Sequence, residues 1–488
     1  MYKGLIINLI LFNFSLIYLP VSGLNTKDNF FVYNSSYLSF SDIYFKFNSN
    51  GPPLKKANVL RMSLEQFGAK GDGLSDDTEA ISRALNSNVL EIYNQKQKAH
   101  YKISDRIVID KIKRKRLVIK NAKFLNADIS KPSFYFQNCS NVEITGGDFG
   151  YATMPVKNGD GSQHVIQFDG CQNVVVRKIH IVNSPEMGIA ITNSNKVTIR
   201  DSFIEHTFRD GTYSHYSANV KYLYNRYRYI KDDAMSFHDY GIPQQKKQLS
   251  KFGYSQASNF VAQGNVVENA YQGLGSIGAF NVSILNNNFK NSVIAGISVF
   301  NAQDMYPGGT ALVNKVRIEG NIITNSCNTL NINGLDLSNF GQASTGRAAI
   351  CLLSLGAKNQ LNQGETKRLS NITVSGNTVN RSGANGFFAN LVDKLYLTNN
   401  KFINCSGSIP AQSLNGDVVE IWNCTGLWAN FNSVIDSRSK ILHQHGYSFN
   451  NVAGQTGNWN VKGTVGEEKS LDKLSILKII PMKNSAKQ

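Results

Sequence analysis

The sequence predicts an all-β chain wound as a parallel β-helix, a solenoid of stacked coils. Three observations carry this. A short Asn-Val-x-Ile phrase recurs eight times, successive phrases stand 23 residues apart where nothing intervenes, and two further kinds of short strand recur between them. The phrases read NVEI (141–144), NVVV (173–176), KVTI (196–199), NVKY (219–222), NVSI (281–284), KVRI (315–318), NITV (371–374) and KLYL (394–397). Each alternates apolar and polar residues, the period of a strand with one buried face.

After a turn come segments such as DSFI, NRYRYI, NNNF and GNTV, and between them strands such as GIAI (188–191) and GISVF (296–300). Val174 to Val197, Val197 to Val220 and Ile372 to Leu395 are each steps of 23 residues. Three strands and three turns in so short a repeat do not close into a sandwich. They stack, each strand pairing with its counterpart about 4.8 Å away, with Asn, Ile and Val in inward ladders. Asn ahead of each strand suits a tight turn because it tolerates left-handed backbone angles. Longer gaps at 240–258, 301–313, 334–347 and 356–370 read as loops inserted into single turns.

An open solenoid needs covered ends. Residues 64–85, LEQFGAKGDGLSDDTEAISRAL, predict an N-terminal capping helix. Ser75 or Asp76 starts it, Asp77 and Glu79 suit its positive end, and Ala80, Ile81, Ala84 and Leu85 form one apolar stripe. That reading assigns Asp76 and Asp77 to structure. Residues 24–60 read as a loosely ordered leader, 61–445 as the β-helix, and 446–488 as a C-terminal cap or tail. Within that tail, 471–480 is either a last strand or an amphipathic helix.

Composition narrows the class. The chain carries 51 Lys+Arg against 34 Asp+Glu, a formal charge of +17, yet only 17% of residues are charged and 41% are hydrophobic. This excludes a disordered polycation. Forty Gly with ten Pro and no G-X-Y period exclude collagen, and six Cys are too few for a disulfide scaffold. No Cys pair has CxxC spacing, so the thiols read as buried core residues and neither a metal nor a cofactor is expected. The first residues, one Lys and then the charge-free GLIINLILFNFSLIYLP over 4–20, read as a signal peptide over 1–23. The expected location is secreted or periplasmic; an uncleaved anchor is the alternative, and no stable membrane insertion is expected elsewhere. The longest charge run, Lys111 to Arg116, reads as a solvated edge.

Reactive side chains concentrate in residues 206–240. Asp210 precedes Asp232 by 22 residues and Asp233 by 23, one coil, which puts the three carboxylates on neighbouring rungs. So placed they repel, and at least one holds its proton, giving a neutral acid beside ionised bases. Glycoside hydrolysis needs that combination. Strict alternation would send Asp232 and Asp233 to opposite faces, so a shared site requires a bulge or turn there. The competing reading is that the Asp-Asp pair caps a turn in a solvated, Tyr-rich coil. His206, Arg209, Tyr213, His215, Lys231 and His238 are the candidate substrate-binding residues.

Residues 64–85 resemble the FGAxGDGxxDDTxAIxxAL opening of the pectate-lyase-like β-helix superfamily. DGTYSHYSANVKYLYNRYRYIKDDAMSF resembles the active-site coils of polygalacturonase-type glycosidases, glycoside hydrolase family 28, and DDAMSFH is similar to a stretch of related β-helix galactosidases. The resemblance, with the usual crossover chirality, implies a right-handed coil. It also implies Asp232 as general acid, with Asp210 and Asp233 positioning and deprotonating water in an inverting hydrolysis. Two elements depart from the pattern. Gly273-Leu274-Gly275 stands where the family has Gly-His-Gly, and 296–300 lack the Arg-x-Lys clamp for a carboxylate, so the resemblance does not extend to pectin specificity.

The expected function is a secreted polysaccharide-degrading glycoside hydrolase, its substrate acidic or neutral, with no nucleic-acid partner. The alternatives are a lyase or epimerase on uronic-acid glycans, using Lys231, Arg209, His206 or a Tyr as base, and a non-catalytic glycan-binding surface or spike protein.

Overall fold

The computed structural model describes residues 60–242, 249–306, 308–327, 348–354, 368–406, 416–473 and 475–479. The chain divides into two units, 1–58 and 59–488, and every described residue belongs to the second. The signal-peptide segment and all of the leader but Leu60 therefore lie outside the described residues, as do 334–347 and most of 356–370.

Among the described residues the strands form a 15-stranded and a 24-stranded sheet. The recurring phrases are the rungs of the first sheet. Val142, Val174, Val197 and Val220 pair in register on successive parallel strands, and Val316, Ile372 and Leu395 continue the row. All seven are buried. The residue opening each of the eight phrases sits in the left-handed region, from Asn141 (φ 54°) and Asn173 (57°) to Asn371 (54°) and Lys394 (59°). That is the conformation Asn was expected to supply.

A second Asn row is buried in the following turn. Asn225, Asn265, Asn287, Asn321, Asn377, Asn400 and Asn432 are all 0–1% exposed. Each of the first six donates both its backbone N–H and its side-chain amide to the next Oδ1 at 2.9–3.2 Å. The row satisfies polar groups that the turns would otherwise bury unpaired.

Helix Thr78–Asn86 buries Ala80, Ile81, Ala84 and Leu85, the four predicted positions. Its start is tied by Asp76, whose Oδ1 accepts the Thr78 N–H at 3.0 Å, while Asp77 accepts the Lys70 and Gly71 N–H groups. Both carboxylates hold turns. In the charge run, Lys115 departs from a solvated edge: it is 1% exposed and donates to the carbonyls of Ser87 (2.7 Å) and Val89 (2.6 Å), so burial lowers its pKa to about 8. Arg116 pairs with Glu91 and Glu143.

Pairing continues past residue 445 through strands His445–Asn450 to Ile476–Ile479, so the described residues within 471–480 include a last strand. The described parts of two insertions carry short helical turns, Leu249–Phe252 and Ala302–Met305. All six Cys are buried.

Candidate active site at a bend between two strand stacks

Strand Thr212–His215 pairs with residues 235–238 of strand Arg226–His238, Thr212 against Met235 and His215 against His238. The same register puts Asp210 beside Asp233, and Gly211 N–H donates to the Asp233 carbonyl at 3.0 Å. The pairing of Arg226–His238 with Val266–Ile277 shifts register between Ile230 and Asp233. This is the irregularity that strand alternation required, and it brings Asp232 and Asp233 to one bend. Glycine shapes the bend at two positions. A Cβ at Gly211 would lie 2.7 Å from the Ala234 carbonyl oxygen, and one at Gly275 would lie 2.0 Å from Asp233 Oδ2. The Asp233 carboxylate occupies the space left by the absent side chain of Gly275.

Asp210 is 2% exposed and receives a short hydrogen bond from Ser236 Oγ. Burial first, then the charges of Asp232 and Asp233, push its pKa well above the ordinary carboxylate value. Asp232 is the most exposed of the three, and Arg209 Nε donates to its Oδ2 at 2.9 Å. Burial opposes the charge on Arg209, but Asp232, Asp210 and Glu186 outweigh it and raise its pKa. Asp233 Oδ1 accepts from Gln272 Nε2 at 2.8 Å, and its Oδ2 lies 3.7 Å from His238 Nε2. Burial lowers the pKa of His238, and that of His215 to about 3, so both rings are neutral at pH 7. Asp210, its pKa raised, sits among acceptors, with neutral imidazoles at the edge of the site.

The predicted residues divide into groups. Asp210, Asp232, Asp233, Arg209 and His238 meet at the bend. Tyr213 meets His238 edge-on at 5.3 Å and His215 at 5.6 Å, forming one aromatic wall. Lys231 is buried with Nζ 3.5 Å above the Phe208 ring. His206 belongs elsewhere, stacked on Tyr229 at 4.9 Å and 3.8 Å from Glu205. Leu274, in place of the family's His, is fully buried and pairs with Met235 and Ile297. Ile297 and Ser298, where the clamp would stand, are buried too.

Four contributors escaped the sequence reading: Glu186, Ser236, Tyr240 and Gln272. Glu186 is one coil before Arg209, whose N–H donates to its carbonyl, and burial raises its pKa. Its 23-residue offset was available as a signal. Gln272 is 39 residues beyond Asp233 because the insertion at 240–258 breaks the step. Among the described residues, no group of three or more His, Cys, Asp or Glu is placed to hold a metal ion.

Residues 107–246 match the family described as right handed beta helix region. No curated protein matches the sequence. Among solved structures, the pre-mature gene product 12 of bacteriophage phi29 aligns with a TM-score of 0.58 and 15% identity, covering 85% of this chain and 57% of that one. Tailspike protein 3 of bacteriophage CBA120 aligns at 0.54 and 13%, covering 88% and 62%. The catalytic unit of a GH87 α-1,3-glucanase from Streptomyces thermodiastaticus aligns at 0.51 and 11%, covering 88% and 69%. The chain thus spans less than two thirds of the length of the two phage proteins. It is a right-handed parallel β-helix. At 11–15% identity the likeness to these structures is one of fold.

Proposed function

We propose that the protein is a glycoside hydrolase acting on a polysaccharide, with the bend at Asp210, Asp232 and Asp233 as its active site. The observation that carries this is the stacking of Asp210 on Asp233, with the Arg209–Asp232 pair alongside. Burial and the charges of Asp232 and Asp233 raise the pKa of Asp210, which makes it the carboxyl that retains a proton. Asp232, the most accessible member, meets the glycosidic oxygen and passes to it the proton held on Asp210, while Asp233 orients and deprotonates water. His238, Tyr213 and His215 line the sugar side. Helix Thr78–Asn86 is read as the cap of the first coil, and the charge-free run at 4–20 as an export signal.

A second reading, glycan binding without cleavage, draws on the deep burial of Asp210. Incubation with a panel of neutral and acidic glycans separates the outcomes. New reducing ends without ultraviolet absorbance mean hydrolysis, absorbance from an unsaturated uronate means a lyase, and retention without products means binding alone. Hydrolysis that survives in both Asp232→Asn and Asp233→Asn would place the site elsewhere.

A further inference from the structure

The turns flanking the strand that begins at Arg226 break a rule kept by the coils around them. The turn before it is left-handed in nine successive described coils, where the row reads Lys178, Asp201, Tyr224, Gly264, Asn286, Gly320, Gly376, Asn399 and, near the far end, a second ring, Phe431. The turn after it reads Asn183, His206, Tyr229, Asn269, Asn291 and Asn325, all with φ of 55–59°. Asn and Gly suit that conformation, and a bulky ring there is an outlier. Two adjacent coils nevertheless place His206, Tyr224 and Tyr229 at such positions. Strain of this kind persists where the side chain has a use.

These rings have one surface in common. Tyr224 is 54% exposed, with φ 56°, and its ring rests on Gly264, where a Cβ would come within 2.5 Å of it. One face of the ring is thereby fixed and the other is left to solvent. His206 and Tyr229 stack on each other. Phe203 is stacked on His180 at 5.0 Å, with the guanidiniums of Arg226 and Arg228 at 5.6 and 5.3 Å from its ring, and Arg228 links it to Tyr229, also at 5.3 Å. A groove of about 470 Å³ opens here, lined by Lys178, His180, Phe203, Tyr224 and Arg226 among others.

The charges decide the ligand class. Arg228 is held by Glu205 at 2.6 Å, Arg226 by Glu268 at 3.5 Å and Arg200 by Asp201 at 2.7 Å. His180 bridges Glu205 and Asp148. Arg200, Arg226 and Arg228 are thus each matched by a carboxylate. Flat apolar rings between oriented, mutually neutralised hydrogen-bonding groups suit a hydroxyl-rich ring rather than a polyanion.

We propose that Phe203, His206, Tyr224 and Tyr229, with Arg226 and Arg228 between them, form a second binding face for an uncharged polysaccharide strand. The face lies on the stretch of strand Arg226–His238 that precedes the carboxylate bend, Tyr229 and Arg226 being three and six residues before Asp232. It would hold the polymer while the bend acts on it. The proposal shares with the hydrolase reading only the ligand's being a glycan.

The test is retardation of the full chain in native gels containing uncharged glucans, mannans or galactans, at low salt and at about 0.5 M salt. The wild type should be retarded by at least one of them at both salt levels. Tyr224→Asn/Tyr229→Asn should bind at least tenfold more weakly and melt at or above the wild-type temperature, because Asn suits both turns. Retardation by none of the uncharged polymers, retardation that vanishes in salt, or undiminished binding by the double variant would each overturn the proposal. Binding is read without cleavage. A chain that is retarded but releases no reducing ends rejects the hydrolase reading and leaves this face standing.

Discussion

Arg209 and Asp232 meet across neighbouring coils, Nε to Oδ2 at 2.9 Å, and 23 residues separate them in the chain. Glu186 lies one coil below, so a single cation stands between two carboxylates in one vertical column. The column borders the bend that holds Asp210 and Asp233, and it fixes the carboxylate proposed to meet the glycosidic oxygen.

Replacing Arg209 by Met keeps its length and removes the donor. Hydrolysis should fall by about 10²-fold, the scale of losing one positioned hydrogen-bonding group from an active site. Circular dichroism should be unchanged, because the Arg209 side chain is 39% exposed and makes no part of the core. Reducing-end release at wild-type rate would remove Arg209 from the site.

Asp210→Asn should give an inactive protein that is at least as stable as the wild type at pH 8. The folded chain keeps a proton on Asp210 that the unfolded chain gives up near the ordinary value of 3.8. Above that value the folded state binds more protons than the unfolded one, so stability falls as pH rises toward the raised pKa. Asn carries no titrating proton and should flatten this slope. Melting temperatures between pH 4 and 8 check it; a parallel slope in both proteins contradicts the assignment.

His238 separates two roles. Its Nε2 is 3.7 Å from Asp233 and its Nδ1 is 3.4 Å from the Tyr240 hydroxyl, so the neutral ring lies just beyond direct hydrogen-bond contact with the carboxylate. His238→Gln retains a polar group and should keep kcat within about tenfold, whereas His238→Phe should lose about 10²-fold. Equal kcat for the two variants would make the residue a packing element only.

Asn321 tests the buried amide row. It accepts two hydrogen bonds from Asn287 and donates to Asn377 Oδ1 and the Ile284 carbonyl, all at 2.9–3.0 Å. Asn321→Ala leaves those buried groups unpaired and should cost about 3–5 kcal/mol in urea unfolding. A loss below about 1 kcal/mol would mean that water replaces the amide.

The winding was readable because it is written in local chemistry. The residue ahead of each phrase must accept a left-handed angle, and the Val and Ile that follow must face inward, so Asn173, Val174 and Val176 carry the signal alone. The Asp210–Asp233 stacking followed from counting, and the bulge at 230–233 from the conflict between that count and strand alternation. Contacts that depend on three-dimensional direction were not readable. Lys115 looked solvated because its carbonyl partners lie 26 and 28 residues back in the chain. His206 was grouped with the carboxylates by proximity in sequence, although its turn aims it at Tyr229. Gln272 was hidden by an insertion that lengthens one coil and leaves the register of the next intact.

The amide row and the in-register pairing also give the molecule a modular tolerance. Each coil touches only its two neighbours, so disturbance at either end decays along the stack instead of spreading through one shared core. The bend at Asp210–Asp233 has several coils on both sides. The terminal coils are therefore free to diverge, lengthen or be fused to other modules, while a single-residue insertion between Asp210 and Asp232 would unmake the site at once.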